Sequence, residues 1–221
     1  AVIYVKPEID SDQNKAKEIF RKAGAQTWQK IKELKLDQLS FFTSKDTSSL
    51  FQLCFLEGLM LASYKFDKYL SKKENHVELQ VSIELFEDIE FQEINNLSIA
   101  NNHAKDLVNE PVNFLNTQQF SAEMISLGKE AGFEVEVLEK KQIEALKMGG
   151  LLAVNKGSVD PPAFNILTYK PTNAKNTKPF VLVGKGVVYD TGGYNIKTGD
   201  HMNDMKLDMG GAAAVIGAIY A

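Results

Sequence analysis

Cysteine is nearly absent from the sequence: Cys54 stands alone among 221 residues, so no internal disulfide can form, and a reduced, cytoplasmic setting is the natural expectation. Long hydrophobic runs are missing as well. No apolar stretch reaches the roughly 18 residues of a membrane span, and the opening run from Ala1 to Lys6 lacks the basic-then-apolar layout of a secretory signal, so no membrane partner is expected. Nor is there a surplus of one charge. The 25 basic and 29 acidic residues give a formal charge of -4 with no long block of either sign, which argues against a nucleic-acid partner and suits a small, neutral substrate class. Internal repeats and low-complexity tracts are also lacking. What is there is a globular composition, 44% apolar, enough for one large core or two small ones. The chain begins without methionine in a strand-like run and ends at Ala221 inside an apolar segment with no stop signal, so both ends are expected to be cut points.

The periodicity of the apolar residues predicts an α/β chain. Ile19, Phe20, Ala23, Ile31 and Leu34 space a helix over 11–35, and Leu50, Phe51, Cys54, Met60, Leu61 and Tyr64 a second over 48–64, with Cys54 a core residue and Trp28 partly buried. Between His76 and Phe86, Val77, Leu79, Val81, Ile83 and Leu85 alternate with polar residues, the period of a half-buried strand. Helical spacing returns from Phe91 to Asn109 and stops before Pro111. Helices are then expected near 117–131 and 140–148, with strands at 133–138, 151–154, 164–169 and 180–184. This divides the chain into a mixed-sheet N-terminal α/β domain over 1–90, a connecting helix over 91–110, and a second α/β part over 111–221.

From Pro179 onward, polar residues stand where a simple fold would not put them. The apolar run Phe180 to Val183 leads into Gly184-Lys185-Gly186, which predicts a lysine at the carboxyl end of a buried strand, the edge at which open α/β sheets bind ligands. Asp190, Gly192-Gly193, Lys197, Asp204, Asp208 and Gly210-Gly211 follow, the last pair opening a small-residue helix. Carboxylates such as Asp190 and Asp208 are hard oxygen ligands for magnesium, manganese or zinc. A lysine joins them only as a neutral amine, because its ammonium form has no lone pair. On spacing alone, glycine pairs, a lysine in a turn and two loop aspartates are ordinary surface features. A phosphate-binding loop is the rival functional reading, but the G-x-x-x-x-G-K-[ST] spacing is missing. Of the three histidines only His201 lies near this segment, and it reads as a surface residue.

The run from Val183 to Gly217 closely resembles the signature of the leucyl aminopeptidase, or cytosol aminopeptidase, family of two-metal exopeptidases. The Gly-Lys-Gly turn, the aspartate with paired glycines, the second lysine, the Met-x-x-Met region and the Asp-Met-Gly-Gly-Ala-Ala-Ala helix start fall in register, and the resemblance extends upstream through Asn109-Glu110-Pro111 and Pro161-Pro162. It implies a metal-dependent aminopeptidase that releases N-terminal residues of leucine type from peptides by two-metal-activated hydroxide attack. It further implies two divalent ions, Zn2+ or Mn2+, with Lys185 and Asp208 ligating one and Asp190 bridging both. Lys197 would be the catalytic lysine, and Met205 would line the pocket for the first side chain. Peptide substrates and a homohexameric parent are implied too. Tyr189 and Thr191 stand where the family usually has Phe and Ser, and Asn203 where Asp is frequent. The family's later acidic and arginine stretch, which completes the ligand set, is not in this sequence, so this stretch alone is expected to be inactive. The alternative is a catalytically inactive, shortened paralogue that serves as a scaffold or assembly partner.

Overall fold

The computed structural model describes residues 12–36, 38–41, 48–72, 80–83 and 88–221; the expected opening strand lies outside them. Two compact units are present, Ala1–Ser98 and Ile99–Ala221, and the elements are helical and stranded in alternation, an α/β architecture.

In the first unit, Asp12 starts helix α1 (Gln13–Leu34) by accepting the Asn14 and Lys15 amides on Oδ1 at 2.9 and 3.4 Å, the ordinary remedy for unpaired donors at a helix start. Lys35, in the left-handed region, ends it. Ala16, Phe20, Ala23, Thr27 and Ile31 form its buried stripe, the helical period expected from the sequence. Helix α2 (Ser49–Ser63) meets that stripe with Cys54, Phe55 and Leu59, and Phe51 stacks on Phe20 with ring centroids 4.9 Å apart. The helices touch backbone to backbone: a Cβ on Gly24 would overlap the Phe55 carbonyl, and one on Gly58 the Arg21 carbonyl. An Arg21–Glu57 ion pair at 2.6 Å closes the rim, and Trp28 is partly buried as expected. Strand β1 (Gln38–Phe41) pairs in parallel with β2 (Gln80–Ile83), Gln38 opposite Gln80. β2 lies inside the alternating run foreseen over 76–86; residues 73–79 and 84–87 are outside the described set.

Helix α3 (Asp88–Asn109) contains the division between the units and ends before Pro111. In the second unit, Asn116 caps α4 (Thr117–Ala131) by accepting the Gln119 amide at 2.9 Å, and Gly132, at φ 82°, stops it. Strand β3 (Glu134–Glu139) runs antiparallel to β4 (Ala163–Thr168), Glu134 opposite Thr168. Helices α5 (Lys140–Ala145) and α6 (Gly149–Asn155) lie between them in sequence. A 3-10 helix (Gly199–Leu207) and helix α7 (Gly210–Tyr220) close the chain. Leu107, Leu115, Phe120, Met124, Leu127, Phe133, Met209, Ala212, Ala213 and Ile216 make one core from α3, α4, the turns that flank α4, and α7.

Two expectations are corrected. Residues 151–154 are helical, within α6, not a strand. Leu151, Leu152 and Ala153 are strong helix formers, and the half-buried positions 151, 152 and 155 share a helical face, whereas four apolar residues alone carry no period that separates strand from helix. Residues 180–184 form no strand: Phe180 to Val183 are 61 to 89% exposed and outside regular structure. An apolar run becomes a buried strand only when neighbours bond its edges and cover its faces, and among the described residues no strand pairs with this one.

Candidate functional site

Lys185 reaches its place through backbone packing. Its carbonyl accepts the Ala212 amide at 3.0 Å, which ties the Gly-Lys-Gly turn to the first turn of α7, where amides have no partner within the helix. The same helix start fixes Asp208, whose amide donates to the Met205 carbonyl at 3.3 Å as the 3-10 helix gives way to α7. The side chains meet: Lys185 Nζ donates to Asp208 Oδ1 at 2.9 Å and stands 2.7 Å from Oδ2. Oδ2 is buried and accepts no aligned hydrogen bond; the short distance to it is charge contact without the angle of a bond.

Asp190 sits in a second turn. Its Oδ1 accepts the Gly192 amide at 2.9 Å, and Oδ2 lies 3.4 Å from Lys197 Nζ. Gly192 and Gly193 have φ of 84° and 68°, values that favour glycine. A Cβ at Gly192 would also overlap the Asn195 carbonyl. The Lys197 amide donates to the Thr191 carbonyl at 3.0 Å, closing the loop so that Lys197 faces Asp190.

The two pairs sense each other. The hydrogen bond to Asp208, and then the charges of Asp208 and Asp190, raise the Lys185 ammonium above its ordinary value. The Gly192 amide chiefly, then Lys197 by hydrogen bond and charge, then the charge of Lys185, hold the Asp190 carboxyl below the usual range. Lys185–Asp208 and Lys197–Asp190 are thus two ion pairs within electrostatic reach of each other. Met205 is half-buried on the 3-10 helix between Lys197 and Asp208 in sequence, while Asp204 and His201 are exposed.

An amine and two carboxylates suit a divalent cation, and the buried, unaligned Asp208 Oδ2 is an acceptor that a cation would satisfy. Lys185 must lose its proton to join them, since as an ammonium it now neutralises Asp208 itself. The donors present thus fit part of a cation site. Among the described residues no group of three His, Cys, Asp or Glu side chains could hold a metal by itself. The Asp208 carboxylate against Lys185, with the charge of Asp190 felt there too, disfavours a phosphate and weakens the phosphate-binding-loop reading.

Two residues that the sequence reading did not assign to the site brace it. Tyr189 donates its hydroxyl to the Met202 carbonyl at 2.8 Å, and Lys206 Nζ donates to the Asn109 carbonyl at 2.8 Å, 97 residues earlier. Bonds to backbone carbonyls leave no spacing signal. The Tyr-for-Phe departure at 189 was the one hint available.

Comparisons with known proteins converge on one group. A family model described as "Cytosol aminopeptidase family, catalytic domain" matches residues 102–221. A "Probable cytosol aminopeptidase" of Sulfurihydrogenibium sp. (strain YO3AOP1) is 42% identical over 214 residues, covering 92% of this chain and 42% of that protein. Another, of Clostridium perfringens (strain 13 / Type A), is 40% identical over 220 residues, covering 93% of this chain and 44% of that protein. The solved structure of the bottromycin maturation enzyme BotP in complex with Mn superposes with a TM-score of 0.77 at 31% identity, over 92% of this chain and 44% of that one. The chain spans less than half the length of these relatives.

Proposed function

The chain belongs to the cytosol aminopeptidase family, and on that premise we propose that it forms the N-terminal domain and the first part of the catalytic domain of a metal-dependent aminopeptidase that releases leucine-type residues from peptide N-termini. In this reading residues 1–90 are the first domain and 91–110 the connecting helix, a role supported by α3 containing the division between the two units.

The observation that carries the reading is the two ion pairs, Asp208–Lys185 and Asp190–Lys197, inside the segment that matches the family. Bound divalent cations, Zn2+ or Mn2+, would supply Lewis acidity that activates water and polarises the scissile carbonyl; the similar BotP is described in complex with Mn. Lys185, as neutral amine, and the Asp190 and Asp208 carboxylates are the groups of this chain that would hold them. The Gly192 amide orients Asp190 for that task. Lys197, ion-paired with Asp190, would offer its ammonium hydrogens to the carbonyl oxygen as negative charge develops on it. Met205 lines the pocket for the substrate's first side chain. Assembly as a homohexamer in the cytoplasm belongs to the same proposal, and light scattering on the full-length protein tests the assembly.

Hydrolysis of leucyl anilide by the full-length enzyme, before and after chelation, tests the reading. Activity is expected to disappear with the metal and return on adding Zn2+ or Mn2+. Undiminished turnover by protein shown to be metal-free would overturn it.

A further inference from the structure

The 3-10 helix Gly199–Leu207 carries Met205 and delivers Asp208, yet it buries no residue and has no side-chain cap at its start. With Met202 and Met205 only half-buried, polar bonds to the backbone contribute to holding it. Lys206 does so at the C-terminal end, by its bond to the Asn109 carbonyl. In the N-terminal half the Tyr189 hydroxyl does, by its bond to the Met202 carbonyl. Tyr189 is well placed to transmit order: the preceding residue, Val188, packs against the core of this unit, and the following residue is Asp190. Three consecutive residues thus join the core, the 3-10 helix and the Asp190–Lys197 ion pair.

We propose that Tyr189 is a positioning residue that fixes the 3-10 helix, and with it Met205, at the wall of the pocket for the substrate's first side chain. The pocket assignment rests on the aminopeptidase reading; the anchoring does not. The hydroxyl is the whole device. A phenylalanine would keep the ring and the chain path from Val188 to Asp190, and would lose only the bond to Met202. Because Lys206 still holds the other end, the helix would not detach but would loosen from Gly199 to Met205.

The test compares wild type, Tyr189→Phe and Tyr189→Leu in the full-length enzyme, by hydrogen exchange, metal content and kinetics on leucyl and alanyl substrates. One hydrogen bond corresponds to roughly two- to tenfold in a local equilibrium. In Tyr189→Phe, amides of the 3-10 helix are expected to exchange faster by about that factor, with α4 amides unchanged. KM for the leucyl substrate should rise by a similar factor while kcat and metal content hold, and the preference for leucyl over alanyl should narrow. Wild-type exchange in Tyr189→Phe, with loss only in Tyr189→Leu, would show that the ring alone matters and overturn the proposal. Faster exchange spread evenly over α4 and α7 would do the same, as the mark of a core defect. Should the wild-type enzyme hydrolyse neither substrate, the aminopeptidase reading fails, and the exchange comparison still decides the anchoring.

Discussion

Gly184 and Gly186 flank Lys185 two residues apart, and alanine at each should have opposite consequences. A Cβ on Gly184 would lie 2.5 Å from Ala212 Cα, 2.7 Å from the Gly211 carbonyl oxygen and 2.8 Å from the Ala212 nitrogen. All three are backbone atoms at the start of α7, so no side chain can swing aside. Relief to ordinary contact requires a shift of roughly 1 Å, which also stretches the 3.0 Å bond from the Ala212 amide to the Lys185 carbonyl. Overpacking of this kind costs about 1–3 kcal/mol, and the strained hydrogen bond about 1 kcal/mol more. The smaller entropy of the unfolded alanine chain offsets only about 0.4–1 kcal/mol. Gly184→Ala should therefore destabilise by about 2 kcal/mol. Because it moves Lys185 away from Asp208, kcat/KM of the full-length enzyme should fall on the order of 100-fold. At Gly186 a Cβ would meet Ala212 Cβ at 3.5 Å and Phe120 Cε1 at 3.7 Å, ordinary contacts, so Gly186→Ala should be neutral or gain up to about 1 kcal/mol and keep its activity. Urea unfolding and leucyl anilide hydrolysis on both variants provide the comparison. Equal behaviour of the two would refute the claim that backbone contact with α7 places Lys185.

In the first unit, Gly58→Ala would drive a Cβ into the Arg21 backbone and should cost about 1–3 kcal/mol in urea unfolding, whereas Gly150→Ala in α6, with open space around it, should gain up to about 1 kcal/mol. Tyr220 donates to Glu130 at 2.6 Å, and this bond, with burial, pushes its hydroxyl up from 10 to about 12. A raised value means that the folded state keeps the proton longer, so the contribution is complete below pH 10 and lost as pH rises through 12. Being solvent-screened, it should be less than about 1 kcal/mol. Tyr220→Phe should remove that part of the alkaline loss, read from unfolding midpoints between pH 9 and 12.

Long elements with a full helical period were legible: α1 to α4 and α7 appear where their apolar spacing or glycine start put them. β3 and β4 appear as well, β3 with Val135 and Val137 half-buried and its glutamates exposed, β4 with Phe164 and Ile166 exposed and Asn165 half-buried. Short apolar runs were not. Leu151 to Val154 and Phe180 to Val183 both look like strands by composition, yet one is helical and the other exposed. What decides such runs is which neighbours cover them, a long-range property that four residues cannot encode. In the candidate site, the charged residues were ordinary by spacing and stood out only through their register with the family signature; the structure brings Lys185 to Asp208 and Lys197 to Asp190. The braces at Tyr189 and Lys206 left no spacing signal because their acceptors are backbone carbonyls, and only the Tyr-for-Phe departure at 189 hinted at one of them.

In the proposed function two lysines of similar sequence setting take opposite roles, Lys185 as a neutral ligand and Lys197 as a cation. The direct measurement is metal stoichiometry together with steady-state kinetics on Lys185→Ala and Lys197→Ala in the full-length enzyme. Lys185→Ala should lose occupancy of one metal site. Lys197→Ala should keep its metals and lose turnover, by about 10²–10³-fold, as for other groups that stabilise a developing oxyanion. A Lys197→Ala enzyme stripped of metal beside a Lys185→Ala enzyme with both sites filled would contradict the account.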